Sequence, residues 1–508
     1  MFIIALLTSN AKVFHADEYR FYAFETKMIY SYNGFASGEA YGDVNYSGVY
    51  ADYMPGLPLL LAWITSHCGH FNESILYLAL NSFHCIMLLP LFTKIKWKQW
   101  YLTPAIILVL LLLPFVINPF SSNILYVDTL ISFIFGYLLI LLLELNPKSR
   151  FDKYCLLISF IGIIMLKEGG FLSILFIIAF YFILGKHKIM PKKFTITLFL
   201  SPLFVYGIWR LICLNLGRVG THQTQNENML ISILSGNYNL PASFLAVISN
   251  TIQTLFVNPR PTGVPHIVTF ALTVLPLQYI YFKTKNQIIK KILVWIYLSY
   301  IVSILLLAVS ILTLFANETQ YTSNPRAIYF ILQRYLSYTL AGNAYLLIYF
   351  LVDNSCRFRF KKQLSIVLLA VLIAIFPYSV ALTAFRQWTY RASTSDKIYK
   401  KYHIDLSLIE EGEVANILTG YDSDFMNMRY VYAPNKITRL LQTNNGEQLK
   451  EKIIEGGFTH IILFGGEARY QGYPSIYYLI EEYQGYPIEL DSLYKIVVED
   501  GEVYFELL

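Results

Sequence analysis

The sequence predicts a mainly α protein, a polytopic membrane helical bundle of about eleven spans with a C-terminal extracytoplasmic α/β domain. Three observations predict it. Long apolar runs recur along the first three quarters of the chain, short Lys- and Arg-rich clusters separate them at every second run, and the last 120 or so residues turn acidic and contain no run long enough to cross a bilayer.

The apolar runs lie at 73–93, 101–117, 125–145, 154–166, 171–185, 194–215, 262–282, 292–315, 333–352 and 364–384. Each is near or just short of the ~20 residues that span a hydrocarbon core as a helix. A helix is the open-chain solution there, because lipid offers backbone N–H and C=O groups no partner. Composition agrees: 56% hydrophobic, 16% aromatic and 14% charged residues exclude an ordinary soluble domain.

Five basic clusters fix the expected orientation: Lys94, Lys96 and Lys98; Lys148, Arg150 and Lys153; Lys186, Lys188, Lys192 and Lys193; Lys283, Lys285, Lys290 and Lys291; and Arg357, Arg359, Lys361 and Lys362. Short basic loops stay cytoplasmic. Two apolar runs separate each neighbouring pair, so all five clusters share one side. A sixth cluster, Lys397, Lys400 and Lys401, opens the exported tail. Parity also requires a crossing before His15. The apolar stretch Phe2 to Leu7 is short for one, so a brief first helix reaching toward Phe14 is expected rather than a cleaved leader. Cys68, Cys85, Cys155, Cys213 and Cys356 have neither metal-ligand nor disulfide spacing and read as small buried apolar residues. The net charge of +6 is spread over short loops, and no nucleic-acid partner is expected.

Two domains follow: residues 1–385, a membrane domain whose first external loop spans 15–72, and residues 386–508, an extracytoplasmic α/β domain. The stretch 385–508 carries 12 Lys or Arg and 19 Asp or Glu. Strands are expected at Val414–Leu418, His460–Phe464, Leu493–Val498 and Val503–Leu507, and a helix at Gly446–Glu455. Asp500-Gly501 between the last two strands reads as a two-residue hairpin turn, because Gly accepts positive φ. With no glycine-rich phosphate loop and no metal cluster, this tail reads as a lid or acceptor-docking module rather than a second active site.

With this topology the polar features converge outside. His15-Ala-Asp17-Glu18-Tyr19 follows the first span. A helix over Asp17–Ser31 would gather Phe21, Phe24 and Met28 on one stripe and Glu18, Tyr22 and Glu25 on another, and would lie along the membrane surface; the plainer role for Asp17 and Glu18 is to cap that helix. Pro55-Gly56-Leu57-Pro58 interrupts a short apolar stretch, as a re-entrant or interfacial helix would. Asp128 sits at the outer end of a span, where an acid is costly unless it faces protein or water; a dipole-favoured helix-start acid is the alternative. Lys167-Glu168-Gly169 forms an outer turn in which Lys167 could contact a phosphate, pair with Glu168 or snorkel. Arg334-Tyr335 opens a late span with Arg326 a turn or two earlier, and Arg suits phosphate because its planar fork donates paired hydrogen bonds.

Acids and cations on one rim fit a particular chemistry. If the donor is a lipid-linked phosphosugar, its leaving phosphate is a weak base that needs a cation rather than a general acid. The acceptor hydroxyl or amine needs a base, which a carboxylate within hydrogen-bond reach supplies. One carboxylate with Arg or Lys makes a minimal inverting transferase.

At these residues the chain resembles the GT-C superfamily of integral membrane glycosyltransferases, specifically the bacterial relatives of protein O-mannosyltransferases and of the aminoarabinose transferase that modifies lipid A. The matching motifs are Asp17-Glu18 with Tyr19 or Tyr22, Pro55 to Ala62, Asp128, Lys167 to Gly169, and Arg334-Tyr335, in order over roughly residues 1 to 355. The resemblance implies a polyprenyl-phosphate sugar donor bound from the bilayer and an extracytoplasmic acceptor in the cell envelope, whether glycan, lipid or protein. It implies Asp17 as general base, Glu18 and Asp128 as assisting acids or holders of a divalent metal ion, and Lys167, Glu168, Arg334, Tyr335, Arg326 and Tyr22 as substrate contacts. A composition rich in Ile, Lys, Asn, Tyr and Phe points to a bacterium and hence to a multi-pass protein of the plasma membrane. A flippase or transporter is the rival reading, although no corresponding broken segments repeat in two halves of the chain. A polymerase or ligase of lipid-linked glycans is the third.

Overall fold

The structure is a computed structural model. It describes residues 8–13, 17–41, 51–92, 124–185, 190–218, 235, 244–257, 265–313, 324–353, 361–376, 378, 382, 396, 409, 415–419, 425–439, 446–462 and 492–508. The expected first crossing before His15, the run 101–117, the clusters Lys94–Lys98 and Lys397–Lys401, and Lys186, Lys188, Arg357 and Arg359 lie outside the described residues.

A π-helical turn, Glu18–Tyr22, leads into α1 (Ala23–Tyr32). Helices α2 (Gly56–His67), α3 (Glu73–Phe92), α4 (Val127–Glu144), α5 (Arg150–Leu166), α6 (Gly170–Leu184) and α7 (Lys192–Asn215) follow. Then come α8 (Phe244–Phe256), α9 (His266–Thr284), α10 (Gln287–Thr313), α11 (Pro325–Tyr335), α12 (Ser337–Val352) and α13 (Lys361–Ile375). Among the described residues five helices are long and apolar enough to cross a membrane: α3, α4, α7, α9 and, over Gln287–Ile311, α10. The pair α11 and α12, bent by 46° at Leu336, makes a sixth if read as one broken span. The other expected crossings fall on shorter helices, α5, α6 and α13, or outside the described residues. Outward apolar side chains such as Leu203 and Phe204 on α7 and Ile301 and Leu305 on α10, each more than half exposed, present the surface that lipid would cover.

Helix ends are set locally. Ser149 accepts a hydrogen bond from the Asp152 amide at the start of α5 and donates its hydroxyl to the Asp152 carboxylate, while Asn324 caps α11 ahead of Pro325 at the first turn. Because α4 ends at the basic loop Lys148–Lys153 and α5 returns from it, Asp128 and Lys167 meet at the opposite end of the bundle.

The pair that fixes the site is α4 and α12. Gly136 of α4 sits so close to the Tyr345 ring that a Cβ there would lie 2.5 Å from it, and Gly342 of α12 stands in the same relation to the Phe135 ring at 2.6 Å. Two small residues let the backbones approach, and the Ser132 and Ser337 hydroxyls hydrogen-bond across the seam at 2.8 Å. This seam carries Asp128 at one end of α4 to the Arg334 break before α12.

The expected interfacial helix at Pro55 is α2, twelve residues long, with Gly56 pressed against the end of α5: a Cβ would lie 2.5 Å from the Met165 carbonyl oxygen. The segment after Asp17 departs from expectation. Phe21, Phe24 and Met28 are buried as a stripe, but Glu18, Tyr22 and Glu25 on the other side are buried too. Its polar side is packed inside the protein as well, because Glu18 and Glu25 both find partners there.

The C-terminal elements are β1 (Asn416–Thr419), α14 (Phe425–Tyr432), β2 (Lys436–Arg439), α15 (Gly446–Gly456), β3 (His460–Ile462), β4 (Leu493–Glu499) and β5 (Glu502–Leu507). They form one mixed sheet in the order β2-β1-β3-β4-β5, parallel on the β2 and β3 sides of β1 and antiparallel from β3 onward. Asp500 and Gly501 both have positive φ, 50° and 79°, in the hairpin turn joining β4 to β5.

Candidate functional site

Asp128 occupies the first turn of α4 with its side chain 5% exposed. Its Oδ1 accepts from Lys167 Nζ at 2.8 Å, and its Oδ2 from Arg334 Nε at 3.0 Å and Nη2 at 2.8 Å. Three charge-assisted donors thus converge on this carboxylate. Arg334 then reaches the second acid, placing Nη1 3.4 Å from Asp17 Oδ2. Four residues separated by up to 317 positions thus form one chain of charge, Lys167–Asp128–Arg334–Asp17.

Aromatic rings wall this chain. The Arg334 guanidinium lies over the Tyr126 ring at 4.3 Å, and the Lys167 ammonium lies 4.6 Å from the Tyr335 ring centre with its Nζ 3.4 Å from the Tyr335 hydroxyl. Burial favours the neutral amine at Lys167, but the Asp128 carboxylate and Tyr335 outweigh it and hold the ammonium above its ordinary value. Tyr22, buried on the inner side of the π-helical turn, faces the same group; burial, then Asp128, pushes its phenol well above its ordinary value, so it is a neutral donor. The widened π turn is a common device at functional sites.

Asp17 differs from Asp128 in access. It precedes the π turn without making a side-chain cap, and its side chain is 30% exposed. The carboxylate that can be reached is therefore Asp17, and the one that is walled in is Asp128.

The remaining sequence candidates stand elsewhere. Glu18 is fully buried, its Oε1 accepting from the Tyr77 hydroxyl at 2.6 Å and the Leu125 amide at 2.8 Å, so it ties the Asp17 turn to the segment entering α4. Glu168 is exposed in the turn and lies beside Tyr206; partial desolvation, then the Asp52 carboxylate, pushes its carboxyl above the ordinary range, with Arg210 opposing. Arg326 is exposed at the start of α11 and makes no ion pair among the described residues. Among the described residues no three His, Cys, Asp or Glu side chains gather to hold a metal ion. A cation recruited to Asp128 would meet the positive charges of Lys167 and Arg334 already paired with it.

Several contributors escaped the sequence reading. Tyr126 lies two residues before Asp128 and offers its ring face to Arg334. Asp52 pairs with Arg210 at 3.2 Å and accepts at its backbone carbonyl from the Trp209 indole. Arg218, fully buried, pairs with Glu25 at 2.9 Å among the rings of Phe35, Tyr41 and Trp209. These pairs join the first loop to the end of α7. Only the isolated charges flanking apolar runs hinted at them.

Two acids and two cations thus meet at one end of a helical bundle. No protein family matches the sequence, and no curated protein is similar to it. Among solved structures the chain is similar to the oligosaccharyltransferase of Archaeoglobus fulgidus, in its complex with zinc and sulfate, at 12% identity and a TM-score of 0.45, over 99% of this chain and 72% of that one. It is likewise similar to the same organism's archaeal oligosaccharyltransferase AglB in complex with an inhibitory peptide and a dolichol-phosphate, at 12% identity and a TM-score of 0.43, over 99% of this chain and 73% of that one.

Proposed function

We propose that the protein is an inverting glycosyltransferase that moves a sugar from a polyprenyl-phosphate donor to an acceptor at the non-cytoplasmic face of the plasma membrane. The observation that carries this reading is the chain Lys167–Asp128–Arg334–Asp17, in which one reachable carboxylate stands beside two cations held by a buried one.

Each member has a task. Asp17 takes the proton from the acceptor hydroxyl or amine as that atom bonds to the anomeric carbon from the side opposite the phosphate. The bond between anomeric carbon and phosphate oxygen breaks, and its electron pair leaves on the lipid phosphate. Lys167 and Arg334 receive the charge developing there, in a site where aromatic walls keep water out and strengthen the interaction. Asp128 holds both cations in register, and Tyr22 donates its phenol hydrogen into the same space. Glu18 fixes the turn that carries Asp17.

Residues 1–385 are proposed as the transferase domain, bearing the catalytic first external loop, and residues 386–508 as an extracytoplasmic domain. The dolichol-phosphate bound to AglB is a lipid phosphate of the donor class proposed here, and the zinc in the A. fulgidus complex makes a divalent ion worth testing. Purified protein in lipid nanodiscs, given a panel of undecaprenyl-phosphate sugars and a cell-envelope fraction as acceptor, with and without chelator, is expected to release the lipid phosphate. No release from any donor in either arm would overturn the proposal. A flippase would instead move labelled donor across the bilayer of proteoliposomes with its glycosidic bond intact.

A further inference from the structure

The C-terminal unit meets the membrane part through α14. Arg429 lies over the Phe24 ring at 4.9 Å and donates to the Tyr41 carbonyl oxygen. Lys27 of α1 returns the contact, donating its ammonium to the Tyr430 and Val431 carbonyl oxygens at 3.1 and 2.6 Å. The Tyr430 hydroxyl donates to Glu73 Oε1 at 2.7 Å, and the other oxygen of Glu73 accepts from the Val13 amide at 2.8 Å.

Glu73 therefore grips two parts of the chain at once, the tail and the strand of backbone four residues before Asp17. One turn along α3, Tyr77 repeats the arrangement. Its hydroxyl lies 3.1 Å from the Lys12 carbonyl oxygen and 2.6 Å from Glu18 Oε1, which also accepts from the Leu125 amide three residues before Asp128. The approach to Asp17 is thus bonded to α3 directly and the approach to Asp128 through Glu18, and the tie at Glu73 is shared with the tail. Burial and the Glu73 carboxylate raise the Tyr430 phenol well above its ordinary value, so it is protonated throughout the working range.

Resting on the transferase reading above, we infer that Tyr430 and Glu73 are positioning residues for the reaction, through which the C-terminal unit holds the Asp17 segment in catalytic register. The tail is then neither a free lid nor a detachable docking module. A displacement of about 1 Å at a reacting group costs on the order of 10²-fold in rate, so a hydrogen bond remote from the chemistry can carry this weight.

The test uses the full-length protein with an undecaprenyl-phosphate sugar that the wild type turns over. Failure of the wild type on every donor would sink the transferase reading itself and is seen before any variant is made. Tyr430→Phe keeps the ring and deletes the donor; Glu73→Gln keeps one acceptor of two. Both are expected to lower kcat at least about tenfold with the donor KM changed less than twofold, and the double variant should be no worse than the poorer single one, because both cut one tie. Hydrogen exchange at the Val13 amide should quicken in Tyr430→Phe. Lys450→Ala, which removes the Lys450–Glu502 ion pair inside the tail at 2.7 Å, should leave kcat and Val13 exchange unchanged. Wild-type kcat in Tyr430→Phe and Glu73→Gln, or a loss of equal size in Lys450→Ala, would overturn the inference. So would unaltered Val13 exchange in Tyr430→Phe.

Discussion

Replacing Asp128 with Asn tests how much of the site's order rests on one buried charge. The carboxylate receives N–H groups from Lys167 at 2.8 Å and from Arg334 at 3.0 and 2.8 Å, and is itself 5% exposed. An Asn oxygen can satisfy one cation, but its amide nitrogen must then face the other, leaving a positive charge without a counter-ion. Removing one partner from a buried ion pair costs about 3–5 kcal/mol. If the cations answer by swinging toward solvent or toward Asp17, that free energy is lost from the transition state. At 1.36 kcal/mol per tenfold in rate, kcat should fall by roughly 10² to 5 × 10³. Lipid-phosphate release by the purified variant measures this, with thermal unfolding run alongside to separate misfolding from inactivity. Lys167→Met added to Asp128→Asn should cost much less than it does alone, since the pair acts as a unit and its members couple by about 0.5–3 kcal/mol. An Asp128→Asn variant with more than a third of wild-type kcat, or strictly additive losses in the double variant, would refute the reasoning.

Three further outcomes are expected. Arg334→Lys should lose at least about tenfold in kcat, because a point charge cannot span Asp128 and Asp17 as the guanidinium fork does; steady-state kinetics decides it. Gly342→Ala should lower stability by about 1–3 kcal/mol, since its Cβ would lie 2.6 Å from the Phe135 ring, read as a drop in thermal midpoint with activity falling in parallel. Burial lowers the Lys27 ammonium from 10.5 to about 8, with Glu73 opposing. Between those values the unfolded chain binds more protons, so this group makes stability rise with pH across that window. Thermal midpoints at pH 7.5 and 9.5 should show wild type gaining on Lys27→Met, and an unchanged difference would contradict the assignment.

What could be read from the sequence was whatever depends on counting or on local backbone chemistry. The spacing of Lys148–Lys153 between two apolar runs is enough to send Asp128 and Lys167 to the same end of the bundle, because helices crossing in opposite directions must return their far ends together. The Asp500-Gly501 turn was legible because positive φ is a property of the residues themselves. Partners far apart in sequence were not. Glu18 and Tyr22 share a face at α-helical spacing, yet the π turn widens the register and sends Glu18 to Tyr77 and Leu125 while Tyr22 faces the site. Nothing local announces that Glu25 will meet Arg218 after 193 positions, or Glu73 meet Tyr430 after 357. The strand Lys436–Arg439 carries a single apolar residue, Ile437, so no apolar run marks it, and it takes its place in the sheet only through its pairing with β1.

The base itself is the most direct point of attack. In a single-turnover experiment with saturating undecaprenyl-phosphate sugar and acceptor, Asp17→Asn should bind the donor as tightly as wild type while product forms at least about a hundredfold more slowly. Formation at the wild-type rate would contradict the account, since no carboxylate at that position would then be needed to accept the proton.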